Sequence, residues 1–157
     1  MNLSPHVTLD EFCRSDTADR LGINNDLPAD LLAAARGTAE MLERIREHLN
    51  KVAGRPVAII ISSGYRCPNV NQAVGSSATS DHLTASAVDW KAPAFGSPTE
   101  ICRELAPLVG MLRIGQIINE FPSATGGWVH TSTRIPAKAT NRVITISKAG
   151  TQVGVVG

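Results

Sequence analysis

The sequence predicts an α+β fold: a single domain over residues 1–157, with a small, mostly antiparallel sheet and helices packed on one side. Three observations carry that expectation. The hydrophobic fraction of 43% is enough, in a chain of 157 residues, to bury one real core. One long segment has unmistakable helical periodicity. The strand-like runs fall in neighbouring pairs joined by turns and do not alternate with helices, as a parallel βαβ sheet would require.

The elements follow in chain order. Residues 1–28 read as loop, with turn chemistry in "GINNDLP". From Ala29 to about Asn50, Leu31, Leu32, Ala35, Ala39, Leu42, Ile45 and Leu49 recur at three- and four-residue spacing, which predicts an amphipathic helix. Val57 to Ile61 is short, continuously apolar and rich in isoleucine, which predicts a buried central strand. At "SPTEICREL" a second helix opens with Ser97 as N-cap, Pro98 at the first helical position and Glu100 completing a capping box. Pro107 ends or kinks it. "IGQIINEF" and "GWVHTST" read as two strands around the turn "PSATGG", and "RVITISKAGTQVGVV" as a hairpin through "KAG".

Several function classes are excluded at this stage. The net charge is +1, with no lysine or arginine block, so nothing points to nucleic acid or an anionic membrane surface. No apolar run approaches membrane-spanning length, so no membrane insertion is expected. Cys13, Cys67 and Cys102 are odd in number and form no CxxC pair; free thiols in a reducing compartment are expected. The start "MNLSPHVTLDEF" lacks a basic segment followed by an apolar one, which implies synthesis in the cytoplasm without a signal peptide.

The chemistry concentrates in "SDHLTASAVDW", where His82 precedes Asp89, and in "GWVHTS", where Trp128, His130 and Ser132 share one face of a strand. Two histidines and one aspartate form a three-ligand zinc set that leaves a fourth position for water, the pattern of catalytic rather than structural zinc. The strand ending at Glu120 is placed to pair with that of His130. A register setting residue 120 opposite 130, or opposite 128, turns the Glu120 carboxylate to the side of His130, where it can accept a proton from water.

"SGYRCPNVNQAVGSSATSDHLTASAVDW", followed by "GQIINEF" and "GWVHTS", resembles the zinc D-alanyl-D-alanine carboxypeptidase family, the LAS-type metallopeptidases, in its short phage-type branch. The family pattern, Ser-x-His, six residues, Asp and a distant Trp-x-His, matches at Ser80, His82, Asp89, Trp128 and His130; Arg66 matches the family's arginine loop, and Asn71 also follows the pattern. "HVTLDEF" and "INNDLP" extend the likeness over essentially the whole chain. Two positions depart. The family's glycine three residues after the first histidine is Ala85 here, and the position three before the last histidine, where many members carry the general base, is Gly127. Glu120 then takes the role of base.

The resemblance implies a one-zinc peptidase cutting the peptide stems of bacterial peptidoglycan, as a D-Ala-D-Ala carboxypeptidase or an endopeptidase. His82, Asp89 and His130 hold the metal. Glu120 is the base, Arg66 clamps a substrate carboxylate or the developing oxyanion, and Ser80 and Trp128 border the substrate. A phage or prophage lysis enzyme is implied, monomeric and acting on the wall after release, or carried in a virion. The alternative is a catalytically inactive wall-binding or virion module that keeps the zinc, and Gly127 is its support. A serine-hydrolase reading of Ser80, Asp81 and His82 fails, because neighbouring side chains point opposite ways and no G-x-S-x-G elbow exists. Cys67 has no histidine placed to activate it. His6 is expected to pack or cap, and His48 to face solvent or the helix dipole.

Overall fold

In a computed structural model describing residues 1–157, a six-stranded sheet is assembled from the segments after residue 59, and a 22-residue helix packs behind it. The first 28 residues, expected as loop, hold four short elements: β1 (Asn2–Ser4), β2 (Val7–Thr8), α1 (Leu9–Cys13) and α2 (Asp16–Leu21). Pieces this short have no periodicity to read. Their helix starts are fixed locally, by a capping box between Thr8 and Glu11 and by the Ser15 hydroxyl accepting from the Ala18 N–H, while Leu3, Val7 and Phe12 tie them to the main core.

The long helix α3 (Leu32–Ala53) follows a single 3-10 turn at Ala29–Leu31 and ends at Gly54, whose positive φ lets its N–H bond back to Asn50 O. Its buried stripe is Ala35, Ala39, Leu42, Ile45 and Leu49, joined by Thr38 and Met41; Leu31 and Leu32, the first two of the apolar set visible in the sequence, are only partly buried, and Leu31 belongs to the 3-10 turn. Further along come β3 (Ile60–Ser63), α4 (Pro68–Ala73) and β4 (Ala87–Lys91). Helix α5 (Pro98–Leu105) precedes β5 (Gln116–Glu120), β6 (Trp128–Ser132), β7 (Val143–Ser147) and β8 (Gly150–Val153). The N-terminus of α5 is built as its sequence requires, with the Ser97–Glu100 capping box and Pro98 in the first turn.

The sheet order is β3-β4-β6-β5-β7-β8. All pairings are antiparallel except β5 with β7, which run parallel. The expected central strand is corrected: β3 begins at Ile60, lies at the sheet edge, and exposes Ile60. Val57 is buried, but its backbone is satisfied by α3, with its N–H donating to Asn50 Oδ1 and its carbonyl accepting from Arg46. Apolarity matched burial only at Val57 and Ile61, and the partner of Val57 is a helix rather than a strand.

One face of the sheet carries Val88, Trp90, Ile117 and Val129 into the core shared with α3 and α5. Trp90 satisfies its indole N–H on Thr131 Oγ1 within that layer. Because side chains alternate along a strand, the opposite face receives Asp89, Ile118, Glu120 and His130. The short α2 and α4 border this second face at its β3 end.

Candidate active site

His82 reaches the second face from a 3-10 turn, Asp81–Thr84, whose N-cap Ser80 accepts from the His82 N–H. The turn ends at Ala85 in the left-handed region, φ 57°. Ala85 stands where glycine would relax the backbone, and its carbonyl accepts from Thr38 of α3 at 2.8 Å. His82 is 1% exposed, and its Nδ1 lies 2.6 Å from Gly64 O. That contact assigns the proton to Nδ1 and leaves the Nε2 lone pair free; Nε2 is buried with no partner. Gly64 is required here, since a Cβ would collide with the backbone oxygen of Phe12.

Asp89 and His130 face each other across the β4–β6 ladder. Asp89 Oδ1 stands 2.8 Å from His130 Nδ1 and 3.3 Å from His82 Nε2. One ligand atom from each of the three residues can be chosen so that all lie within 4.8 Å of one another. Tetrahedral zinc with bonds of ~2.0–2.2 Å needs ligand atoms roughly 3.3–3.6 Å apart, so small side-chain adjustments bring these donors onto one ion. Two imidazole nitrogens, one of them with an orphaned buried lone pair, and a carboxylate fit that metal. The residues His82, Asp89 and His130, expected from sequence as one set, are brought together.

Burial opposes charge throughout this cluster, and neighbours decide the outcome. It pushes the Asp89 carboxyl up, but the proximity of His82 and the hydrogen bond and charge of His130 outweigh it and hold the group well below the usual range. Burial drives His82 down against the pull of Asp89, which keeps its imidazole neutral. His130 is raised: burial lowers it, but the Asp89 hydrogen bond and the charges of Asp89 and Glu120 prevail.

Glu120 pairs with Trp128 across the β5–β6 hairpin, one of the two registers that turn its carboxylate toward His130. Oε1 lies 3.9 Å from His130 Nδ1. Burial first and then the nearby Asp89 charge raise its pKa, against His130 and Arg66. Gly127, in the position where the resembled family carries its base, has φ +88°, and a Cβ there would lie 2.8 Å from Glu120 O. The hairpin therefore demands glycine at 127, and the carboxylate it sets near His130 is that of Glu120.

Arg66 approaches Asp89 Oδ2 at 3.8 Å, with its Nε buried and unpartnered. Together with Ser80, His82, Glu120 and His130 it lines a cavity of about 290 Å³. Trp128 is not drawn into that cavity; it packs on Phe121 with ring centroids 5.5 Å apart. Asn71 is buried, its amide donating to Ser77 O. His6 contacts Glu43 and His48 contacts Glu104, both away from the cluster, and all three cysteines are free.

The sequence raised Asp81 only as part of a serine-hydrolase relay, which fails, and gave it no other place in the site. Asp81 accepts from Ser132 Oγ at 2.7 Å and pairs with Arg134, which ties the His82 turn to the end of the His130 strand. Its adjacency to His82 was the available signal. Gln116 and the hydroxyls of Ser76, Ser77 and Thr79 also line the cavity, and nothing in their spacing marks them.

The family model described as Peptidase M15 matches residues 5–115. The matched stretch contains Arg66, Ser80, His82 and Asp89, whereas Glu120 and His130 lie beyond it and join the site through the β4–β6–β5 pairing. No curated protein matches the chain.

Proposed function

The chain belongs to the peptidase M15 family, and from that premise we propose a zinc-dependent peptidase that hydrolyses the peptide stems of bacterial peptidoglycan. The observation carrying this reading is the buried His82–Asp89–His130 cluster with a carboxylate, Glu120, on its rim. His82 Nε2, Asp89 and His130 would hold one zinc ion. Such an ion supplies a Lewis acid and acidifies water at its open position.

Glu120 does the proton work. A carboxylate half-withdrawn from solvent, with its pKa raised, is a better base than an exposed one, and the proton it takes passes on to the leaving amine, which is the stronger base. Arg66 stays cationic despite burial and stabilises negative charge developing on the substrate carbonyl oxygen or held on a substrate carboxylate. Ser80 holds the His82 turn and touches the substrate's edge of the cavity. Trp128 braces Phe121 beside Glu120 and positions the strand end.

The role we assign is a phage or prophage lysis enzyme, acting as a monomer on the wall after release. A virion-borne subunit uses the same chemistry. An inactive zinc-containing module is disfavoured by Glu120 turning toward His130.

The test is mass spectrometry of purified muropeptides incubated with the protein, with and without a chelator. Chelator-sensitive products are expected, and their masses name the bond. Muropeptides left intact after zinc is restored would remove stem hydrolysis and leave wall binding to be measured.

A further inference from the structure

Two cavities meet at the metal-ligand cluster and share Arg66. The first, described above, lies over β5, β6 and β7 and reaches Gln116, Ile118 and Ile146. The second, about 250 Å³, opens on the other side of Asp89, between Ser62 and Ser63 of β3, the start of α2 at Thr17, and Val70 of α4. One water takes about 30 Å³ of liquid, so each arm has room for a residue-sized group.

The sheet register shows how the arms are aligned. Ser63 is opposite Asp89, Asp89 opposite His130, and His130 opposite Ile118. Residues directly opposite share a face, so these four form one row across the strands, and a register shift between Ile61 and Ser63 brings Ser63 onto it. Strands lie ~4.8 Å apart, which makes the row about 14 Å long. An extended peptide advances ~3.3–3.6 Å per residue, so the row matches about four residues. Asp89 and His130 occupy its middle, Ser63 the second cavity and Ile118 the first.

Removal of a single C-terminal residue calls for a different layout, with one short arm ending in a cation that takes the terminal carboxylate. Arg66 is the only lysine or arginine lining either cavity, and it stands where the two meet, beside Asp89. Away from the cluster, the first arm is lined by hydroxyls, Gln116, Asp81 and aliphatic side chains, and the second by hydroxyls, Asp16, Val70 and Val74, with no cation in either.

We propose that the protein cuts internal peptide bonds, with residues on both sides of the bond seated in this two-armed cleft. The inference rests on the peptidase reading above. Hydrolysis consumes one water and leaves a new carboxylate in one arm and a new amine in the other.

Three peptides sharing one stem sequence separate the possibilities: the free acid ending in D-Ala-D-Ala, its C-terminal amide, and a form extended by further residues beyond the scissile bond. With the zinc-loaded full chain, the amide should be cut as readily as the acid, and the extended form about tenfold better in kcat/KM, since remote contacts contribute to transition-state binding. Hydrolysis confined to the free acid overturns the proposal and leaves the peptidase reading standing. No hydrolysis of any of the three overturns both. A second readout needs no turnover: the two product peptides, added separately to the zinc-loaded protein, should shift different backbone amide resonances. One should move Thr17 and Ser63, the other Ser77 and Gln116. Shifts from both products in the same arm, or from neither at saturating peptide, count against the two-armed cleft.

Discussion

Glu120 illustrates how the residue opposite sets where a side chain stands. On β5 it is an ordinary strand carboxylate; with Trp128 across the ladder, it lies 3.9 Å from His130 Nδ1. Glu120→Gln keeps size and hydrogen bonding but cannot accept the proton, so kcat should fall about 10²–10⁴-fold with zinc stoichiometry unchanged. Turnover equal to wild type would remove Glu120 from the mechanism. Ala85 poses the opposite question, a residue where the resembled family has glycine. Its left-handed backbone costs an alanine ~1–2 kcal/mol, whereas its buried methyl contributes ~0.8 kcal/mol and glycine adds unfolded-state entropy worth a further ~0.4–1 kcal/mol. These nearly cancel. Ala85→Gly should therefore shift urea-derived stability by less than about 1 kcal/mol, and a loss well above that would show that the methyl fills a tighter space.

Among the elements, the N-terminal β1–β2 ribbon shows how short pieces are held. Glu43 of α3 accepts from Ser4 Oγ at 2.6 Å and from the His6 N–H at 2.8 Å, and meets His6 Nδ1 at 2.8 Å. Burial pushes the Glu43 carboxyl up, but the Ser4 and His6 bonds pull harder, and its pKa lies below the ordinary value. A carboxyl depressed in the folded state contributes stability that is complete above its unfolded pKa of ~4.3 and is lost as pH falls through the folded value. Glu43→Gln should cost about 1–2 kcal/mol at neutral pH and flatten the acid-side decline in stability. Urea midpoints measured at neutral and acid pH check both; parallel pH curves would refute the linkage. The ribbon itself was invisible in the sequence, because two- and three-residue strands carry no period. The α3 stripe and the Ser97–Glu100 cap were legible, since both are written in side chains a few positions apart. Val57–Ile61 announced a burial that only Val57 and Ile61 realise, and could not name their partners, as apolarity is the same against a helix or a sheet.

For the whole molecule, the proposed zinc would couple metal binding to the fold. Zinc binding only the native cluster stabilises by ~2.7 kcal/mol at a free concentration a hundredfold above Kd. At ~2–4 °C per kcal/mol for a chain of this size, Tm should rise by about 5–11 °C. Thermal scans with and without chelator measure this, and His130→Ala, which removes one donor from between two strands, should abolish the shift. An undiminished shift in that variant would place the metal elsewhere. The sequence by itself determined the fold class, the long helix and the residue types able to hold a metal, because periodicity, capping and ligand chemistry are local properties. Only the tertiary structure decided that His82, Asp89 and His130 converge, that β7 joins β5 in parallel, and that a second cavity opens beside Asp89. Those depend on which strands lie side by side and in what register, and contacts between distant segments are set by the packing of the whole chain.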